Sequence, residues 1–269
     1  MKQSISLRVG AGILGFISLI TVLGSFWTPY DSLVVDPANR FASPTWMHLL
    51  GTDQLGRDVL SNILDGARTT LLVGLLASAI AIVVGGTLGI LAATSRRWID
   101  DVVTTVADVF VAFPALLIAL VVVAAFGPST GVVVTTVGFS AGVSVIVVTR
   151  QEVADIMREP YVLAARFSGG TTAKIVARHV LRNLWPSLVV QASSAATIAI
   201  VAESTLSYLG LGTTPPTPSW GRMLASTQQY LLVHPLLTSW PALFICVSVT
   251  GFTLLGNGVR ERYDPNLVR

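Results

Sequence analysis

Hydrophobic positions in this chain run together instead of alternating. Six stretches, 9–27, 70–93, 102–126, 132–149, 188–209 and 237–256, are rich in Val, Leu, Ile and Ala. A bilayer core about 30 Å thick is crossed by roughly 20 apolar residues of helix. Backbone groups in hydrocarbon must pair within their own segment, which favours helices. The runs are too long for barrel strands, which alternate over about ten residues. The pattern predicts an all-α polytopic membrane protein with six transmembrane helices. Its parts are an N-terminal segment and first helix (1–27), an outer loop (28–69), and a core of five helices (70–269). A polar segment at about 150–187 interrupts that core.

The two other long polar segments have patterns of their own. Within 28–69, Val59, Leu60, Ile63 and Leu64 fall on one helical face, with Arg57, Asp58, Asp65 and Arg68 mostly elsewhere. This predicts a short amphipathic helix, capped by Thr52 or Asp53, lying on the interface or against the bundle. Within 210–236, the prolines of "GTTPPTPSWG" forbid regular helix through the turn. Trp220 and Tyr230 there are expected to anchor at headgroup depth.

Composition narrows the class further. The chain is 52% hydrophobic and 12% charged, against about a quarter charged in soluble domains. A soluble core could not hide so much apolar surface. A pI near 9.4 would suit nucleic acid, but basic residues also set membrane orientation. With the N-terminus inside, 13 of the 17 Lys and Arg residues fall on the cytoplasmic side, including Lys2, Arg8, Arg260, Arg262 and Arg269. Both termini are therefore expected in the cytoplasm, and no nucleic-acid partner is expected. The first apolar run is longer than a signal-peptide core and lacks an A-x-A-like site, so it reads as a retained helix. The single cysteine, Cys246, has no partner for a disulfide or zinc spacing and is expected to be a small buried hydrophobe.

Several residues carry candidate chemistry. "GFSAG" (138–142) fits the hydrolase nucleophile elbow, but that motif needs a strand-to-helix turn and a histidine base. His48, His179 and His234 are all expected in loops, away from Ser140. The same residues read as G-x-x-x-G, a close packing face, as does "GGTLG" through Gly85 and Gly89. Asp108 and Glu203 are acids inside predicted spans, where a charge must face protein or water. They read either as structural or gating carboxylates or as a cation relay of a secondary transporter or channel. Pro114 should kink the third helix. No metal site is read. The chain has no G-x-x-x-x-G-K-[ST], so an ATP-driven process would need its nucleotide site on another chain.

The segment "YVLAARFSGGTTAKIVARHVLRNLWP" (161–186) is too basic to span a bilayer and too patterned for a slack linker. Pro160 suits a helix start. Gly169 and Gly170 break or cap that helix, and Thr171 or Thr172 can begin a second short one through Leu181. The residues expected at its surface include Tyr161, Ala164, Ala165, Arg166 and Lys174. Small exposed residues let another surface come close.

This segment resembles the "EAA" loop of ABC importer permeases: Ala164, Ala165 and Gly169 match the E-A-A-x-x-x-G core, with Leu163 in place of the glutamate. "HVLRNLWP", ending at Pro186, is similar to the family's H-V-L-P-N-x-L-P, with Arg182 and Trp185 departing. "HLLGTDQLGRDVLSNILDGARTTL", "DVFVAFPALLIAL", "ESTLSYLGLGTTPPTPSWGRMLA" and "LLGNGVRERYDPNLVR" follow in order and resemble the dipeptide/oligopeptide/nickel permease family, in its second, "C" type. The resemblance implies a type I importer permease in a bacterial cytoplasmic membrane, itself not an enzyme. It implies a homologous second permease, two P-loop ATPases carrying ATP and Mg, and an extracytoplasmic binding protein. It assigns Tyr161, Ala164, Ala165, Arg166, Gly169, Lys174 and Pro186 to ATPase coupling. Asp108, Pro114 and Glu203 become structural or gating positions. Glu159 is the candidate replacement for the missing glutamate.

Overall fold

The computed structural model describes residues 5–263; Lys2 and Arg269, counted above for orientation, lie outside them. Ten α-helices follow in order among the described residues: α1 (Ile5–Phe26), α2 (Val59–Thr94), α3 (Arg97–Val111), α4 (Ala115–Phe126), α5 (Thr130–Ile156), α6 (Pro160–Phe167), α7 (Thr172–Ile175), α8 (Leu181–Tyr208), α9 (Trp220–Thr227) and α10 (Pro235–Tyr263). No strand forms among them beyond an isolated antiparallel bridge between Thr52 and Asp58. Five helical rods are long and apolar enough to cross a membrane, and the bent pair α3–α4 makes a sixth if taken as one span.

Three boundaries differ from the sequence reading. The amphipathic stretch after residue 58 is no separate helix. It continues without a break into the second span, giving a helix of 36 residues. Its cap is Asp58, whose side chain accepts from the Ser61 amide, in place of Thr52 or Asp53. Nothing between Val59 and Thr70 breaks a helix, so the periodic stretch and the apolar run fuse. The third span bends by 86° between α3 and α4. Pro114 lacks an amide hydrogen and disfavours helical backbone at Phe113, so the helix stops and restarts with Pro114 as its N-cap. The short helix expected to end at Leu181 instead runs through a π-helical stretch, Val176–Val180, into α8. His179 therefore sits in helix, not in a loop.

The bundle centres on α2, which packs along α5 and α8. Val73, Ala77, Ala119, Val123, Val133, Val137, Ala199 and Leu206 form the main core, drawn from α2, α4, α5 and α8. The small-residue faces bring α2 and α5 together: a Cβ on Gly85 would lie 2.5 Å from the Cβ of Val145, and one on Gly138 would lie 2.9 Å from that of Ile80. The G-x-x-x-G motifs are thus packing faces, and Ser140 is a half-buried residue of α5. A second core joins Ile17, Ala67, Leu71, Ile200 and Trp220 with Phe244 of α10. Two expectations fail here. Trp220 is fully buried instead of anchored at an interface, because its indole nitrogen donates to the Ile63 carbonyl at 3.0 Å. Cys246 is exposed instead of buried, because it lies on the outward face of α10 at the bundle surface.

Candidate functional site

The 150–187 segment is assembled at one end of the bundle. Arg150, near the end of α5, makes a two-pronged ion pair with Asp100 at the start of α3, with Nη2 2.6 Å from Oδ2. This fixes α3 against α5 just before the chain leaves the bundle. Met157, Arg158 and Glu159 turn, and Pro160 opens α6 at its first turn. Glu159 is the N-cap residue but makes no side-chain cap bond, and it is exposed. Its carboxylate has no ion-pair partner among the described residues.

Helix α6 has one face in and one face out. Val162 is fully buried. Leu163 is 39% and Phe167 91% exposed, and Ala164 and Arg166 also face outward. Ala165 is half-buried. The helix ends where Gly169 takes φ +84°, and the Gly170 amide then donates back to the Ala165 carbonyl. A left-handed residue here is easiest for glycine. Space around Gly169 is open, since a Cβ there would meet nothing within 4 Å. Thr171 caps α7 by accepting from the Lys174 amide, and the Lys174 side chain is exposed.

What holds the segment to the bundle is a second set of residues. Val153, Val180 and Leu184 are fully buried together, flanked by Ile90, Ile156, Met157, Val176 and Leu188. Ile175 is 2% exposed. The Asn183 side chain donates to the Tyr161 hydroxyl at 2.9 Å, crossing from α8 to α6. Burial lifts the Tyr161 phenol above its ordinary range, the Glu159 carboxylate adds to this, and the Asn183 bond opposes it. The phenol therefore stays a neutral hydrogen-bonding group. Pro186 lies half-buried inside α8, one turn beyond Arg182. Sequence reasoning missed Val162, Asn183 and the Arg150–Asp100 pair. The signal for Asn183 was its match to the asparagine of H-V-L-P-N-x-L-P in "HVLRNLWP".

The residues expected within spans lie outside this site, and no hydrogen bond or ion pair joins them among the described residues. Asp108 is exposed on α3, and Pro114 stands at the bend below it. Glu203 is 1% exposed near the opposite end of α8. It accepts from Ser207 Oγ at 2.7 Å and Thr213 Oγ1 at 3.1 Å. Thr213 belongs to the proline-rich loop, so Glu203 ties that loop to the end of its own helix. Such a hydroxyl cradle satisfies a buried carboxylate with neutral donors.

Comparison with known proteins agrees with this geometry. Residues 85–269 match the family described as "Binding-protein-dependent transport system inner membrane component". The chain is similar to the dipeptide transport system permease protein DppC of Alkalihalophilus pseudofirmus, at 33% identity over 99% of this chain and 88% of the relative. It is similar to the nickel transport system permease protein NikC of Escherichia coli, at 32% over 98% and 95%. A third relative is the glutathione transport system permease protein GsiD of Pectobacterium atrosepticum, at 33% over 99% and 89%.

Proposed function

Because this chain belongs to the inner-membrane permease family of peptide and nickel binding-protein-dependent transport systems, we propose that it forms half of the path of an ATP-driven importer for peptides or related small solutes. It is a multi-pass permease subunit that works within a transporter complex. Its partners in this reading are a second, homologous permease, two P-loop ATPases that carry ATP and Mg, and an extracytoplasmic binding protein. The sequence carries no P-loop motif, so in this reading the nucleotide is bound by those ATPases. In this reading both termini and the 150–187 segment lie in the cytoplasm of a bacterial cell, which the positive-inside bias supports.

One observation supports this reading above the others. Helix α6 is fastened on its inner face by Val162 and the Tyr161–Asn183 bond, yet presents Leu163 and Phe167 to solvent on its outer face. Exposed large apolar groups beside small ones mark a surface that another protein covers. The covering surface is the groove of a P-loop ATPase. Its closure on ATP moves α6, and the continuous α7–α8 rod carries that displacement toward the membrane as a rigid-body motion. Hydrolysis then releases the pair and resets the permeases.

Nothing favours the cation-coupled carrier. Of its two acids, Asp108 is exposed on α3 and Glu203 is engaged by hydroxyls. The test is Ala164→Trp in the reconstituted transporter. Ala164 is exposed, so the fold should survive. ATPase activity should lose its response to the loaded binding protein, and uptake should stop. A carrier without ATPases would keep its uptake, and that result would refute the proposal.

A further inference from the structure

A cleft of about 470 Å³ opens between α5, α8 and α10. Glu152, Asn183, Ser187, Gln191, Arg260 and Tyr263 line it. A second cleft, about 270 Å³, shares Val190 with the first and extends along α8 and α10 past Ser194, Thr197, Thr253 and Asn257. Together they make a polar track starting at the end of the bundle that bears the coupling segment and running into spanning helix.

The side chains along the track differ in how they are satisfied. Thr197 and Thr253 donate to carbonyls four residues back, at 3.0 and 2.8 Å, so either could tolerate lipid. Gln191 and Asn257 have no such outlet: neither carboxamide makes a hydrogen bond among the described residues. Arg260 is exposed and has no ion-pair partner among them either. Glu152 has one oxygen bound, accepting from Ser187 Oγ at 2.6 Å, and no basic partner. Amides and charges in or beside spanning helices face protein interior or water, not hydrocarbon. An acid and a base that share one cleft without pairing leave room for a ligand carrying both opposite charges.

Resting on the importer reading above, we propose that this track is the chain's own wall of the solute path at its inner mouth. There Glu152 meets the ammonium and Arg260 the carboxylate of a zwitterionic, peptide-like solute. The volume falls within the range of small-molecule sites, about 300–1,000 Å³. Asn183 gives the mouth its link to the motor, because it lines the cleft and also holds Tyr161 of the coupling helix. Movement of α6 therefore reaches the cleft wall through one hydrogen bond and the body of α8.

The experiment uses the whole transporter in inside-out vesicles, with Cys246→Ser as background. Single cysteines at Ser187, Gln191 and Asn257 are reacted with a charged, membrane-impermeant thiosulfonate, with Phe16→Cys on α1 as the apolar-surface control. The track positions should label readily without nucleotide, and Phe16→Cys should not. Trapping with ATP and vanadate should slow labelling by about tenfold or more, as the open state becomes a minor population. A mixture of dipeptides should slow Ser187→Cys labelling, and this protection should vanish in both Glu152→Gln and Arg260→Gln. Track cysteines that never label, because lipid or the second permease covers them, would overturn the proposal. So would labelling that ignores both nucleotide and dipeptides. Protection by short-chain phosphatidylethanolamine but not by dipeptides would assign the charges to a lipid headgroup and overturn the solute path. If the purified complex holds no ATPase, the importer reading itself fails, which separates the two failures.

Discussion

The two ends of this bundle are tied together in different ways. At the end holding 28–58 and 210–234, several polar groups are turned inward and matched, although Gln54 Oε1 is buried without a partner and Trp46, Met47, Leu232 and Val233 stand exposed. Asp58 accepts from Ser61 and pairs with His48 at 3.0 Å, Asp53 holds Arg57 at 2.7 Å, and Glu203 grips Ser207 and Thr213. Phe41 stacks on His234 and meets Tyr230 edge-on, while Trp220 is sealed beneath. At the other end, α6 is held by Val162, the Tyr161–Asn183 hydrogen bond and a ring contact of Tyr161 with His179, with Phe167 almost wholly exposed. Apolar surface left open marks a place that another molecule covers, and both ends carry some. On the importer reading proposed above, force would enter through α6, and the tied loops at the other end would be the frame against which it acts.

Mutations should separate the two ends. Trp220→Ala should be the most damaging change to the fold, costing about 3–5 kcal/mol as a cavity appears and the Ile63 carbonyl loses its second donor. Thermal unfolding in detergent would show it. Gly85→Leu forces α2 off α5 and should cost about 1–3 kcal/mol, read the same way. Glu203→Ala should cost about 1–3 kcal/mol by stranding its hydroxyl partners. Glu203→Gln should keep most of the stability and all of the uptake, whereas a proton relay would lose uptake with Gln. Tyr161→Phe removes one half-exposed bond and should cost at most about 1 kcal/mol, yet it should weaken coupling measurably in ATPase assays. Phe167→Ser should leave stability within about 0.5 kcal/mol while releasing the ATPases during purification. If Phe167→Ser unfolds the chain instead, the contrast between the ends collapses.

Much of this was legible because the bilayer limits the options. Long apolar runs in a bilayer favour helices, so five spans were visible, with a sixth if α3 and α4 count as one, and Pro160, Gly169 and Thr171 mark their turn by local chemistry alone. Pro114 showed where the third span breaks, but not that the break reaches 86°, since the angle depends on what α4 packs against. The fusion of Val59 with the second span was hidden by charges at Asp65 and Arg68, which resemble a boundary. Trp220 was misplaced because an indole suits both an interface and a core. Only its reach to Ile63 decides. The anchors of the coupling segment, Val162 and Asn183, were invisible because their partners lie on other helices. Cys246 went the other way: an apolar neighbourhood in sequence does not tell which face of α10 is covered.

The central claim is that α6 is covered by an ATPase. A photoreactive benzoylphenylalanine at position 167, in the transporter purified gently from membranes, tests it most directly. Illumination should yield one dominant adduct, identified by mass spectrometry as a P-loop ATPase, and the same probe at Phe16 should give none with that protein. Adducts at 167 that contain only lipid, or none at all while the ATPases remain bound, would contradict the account.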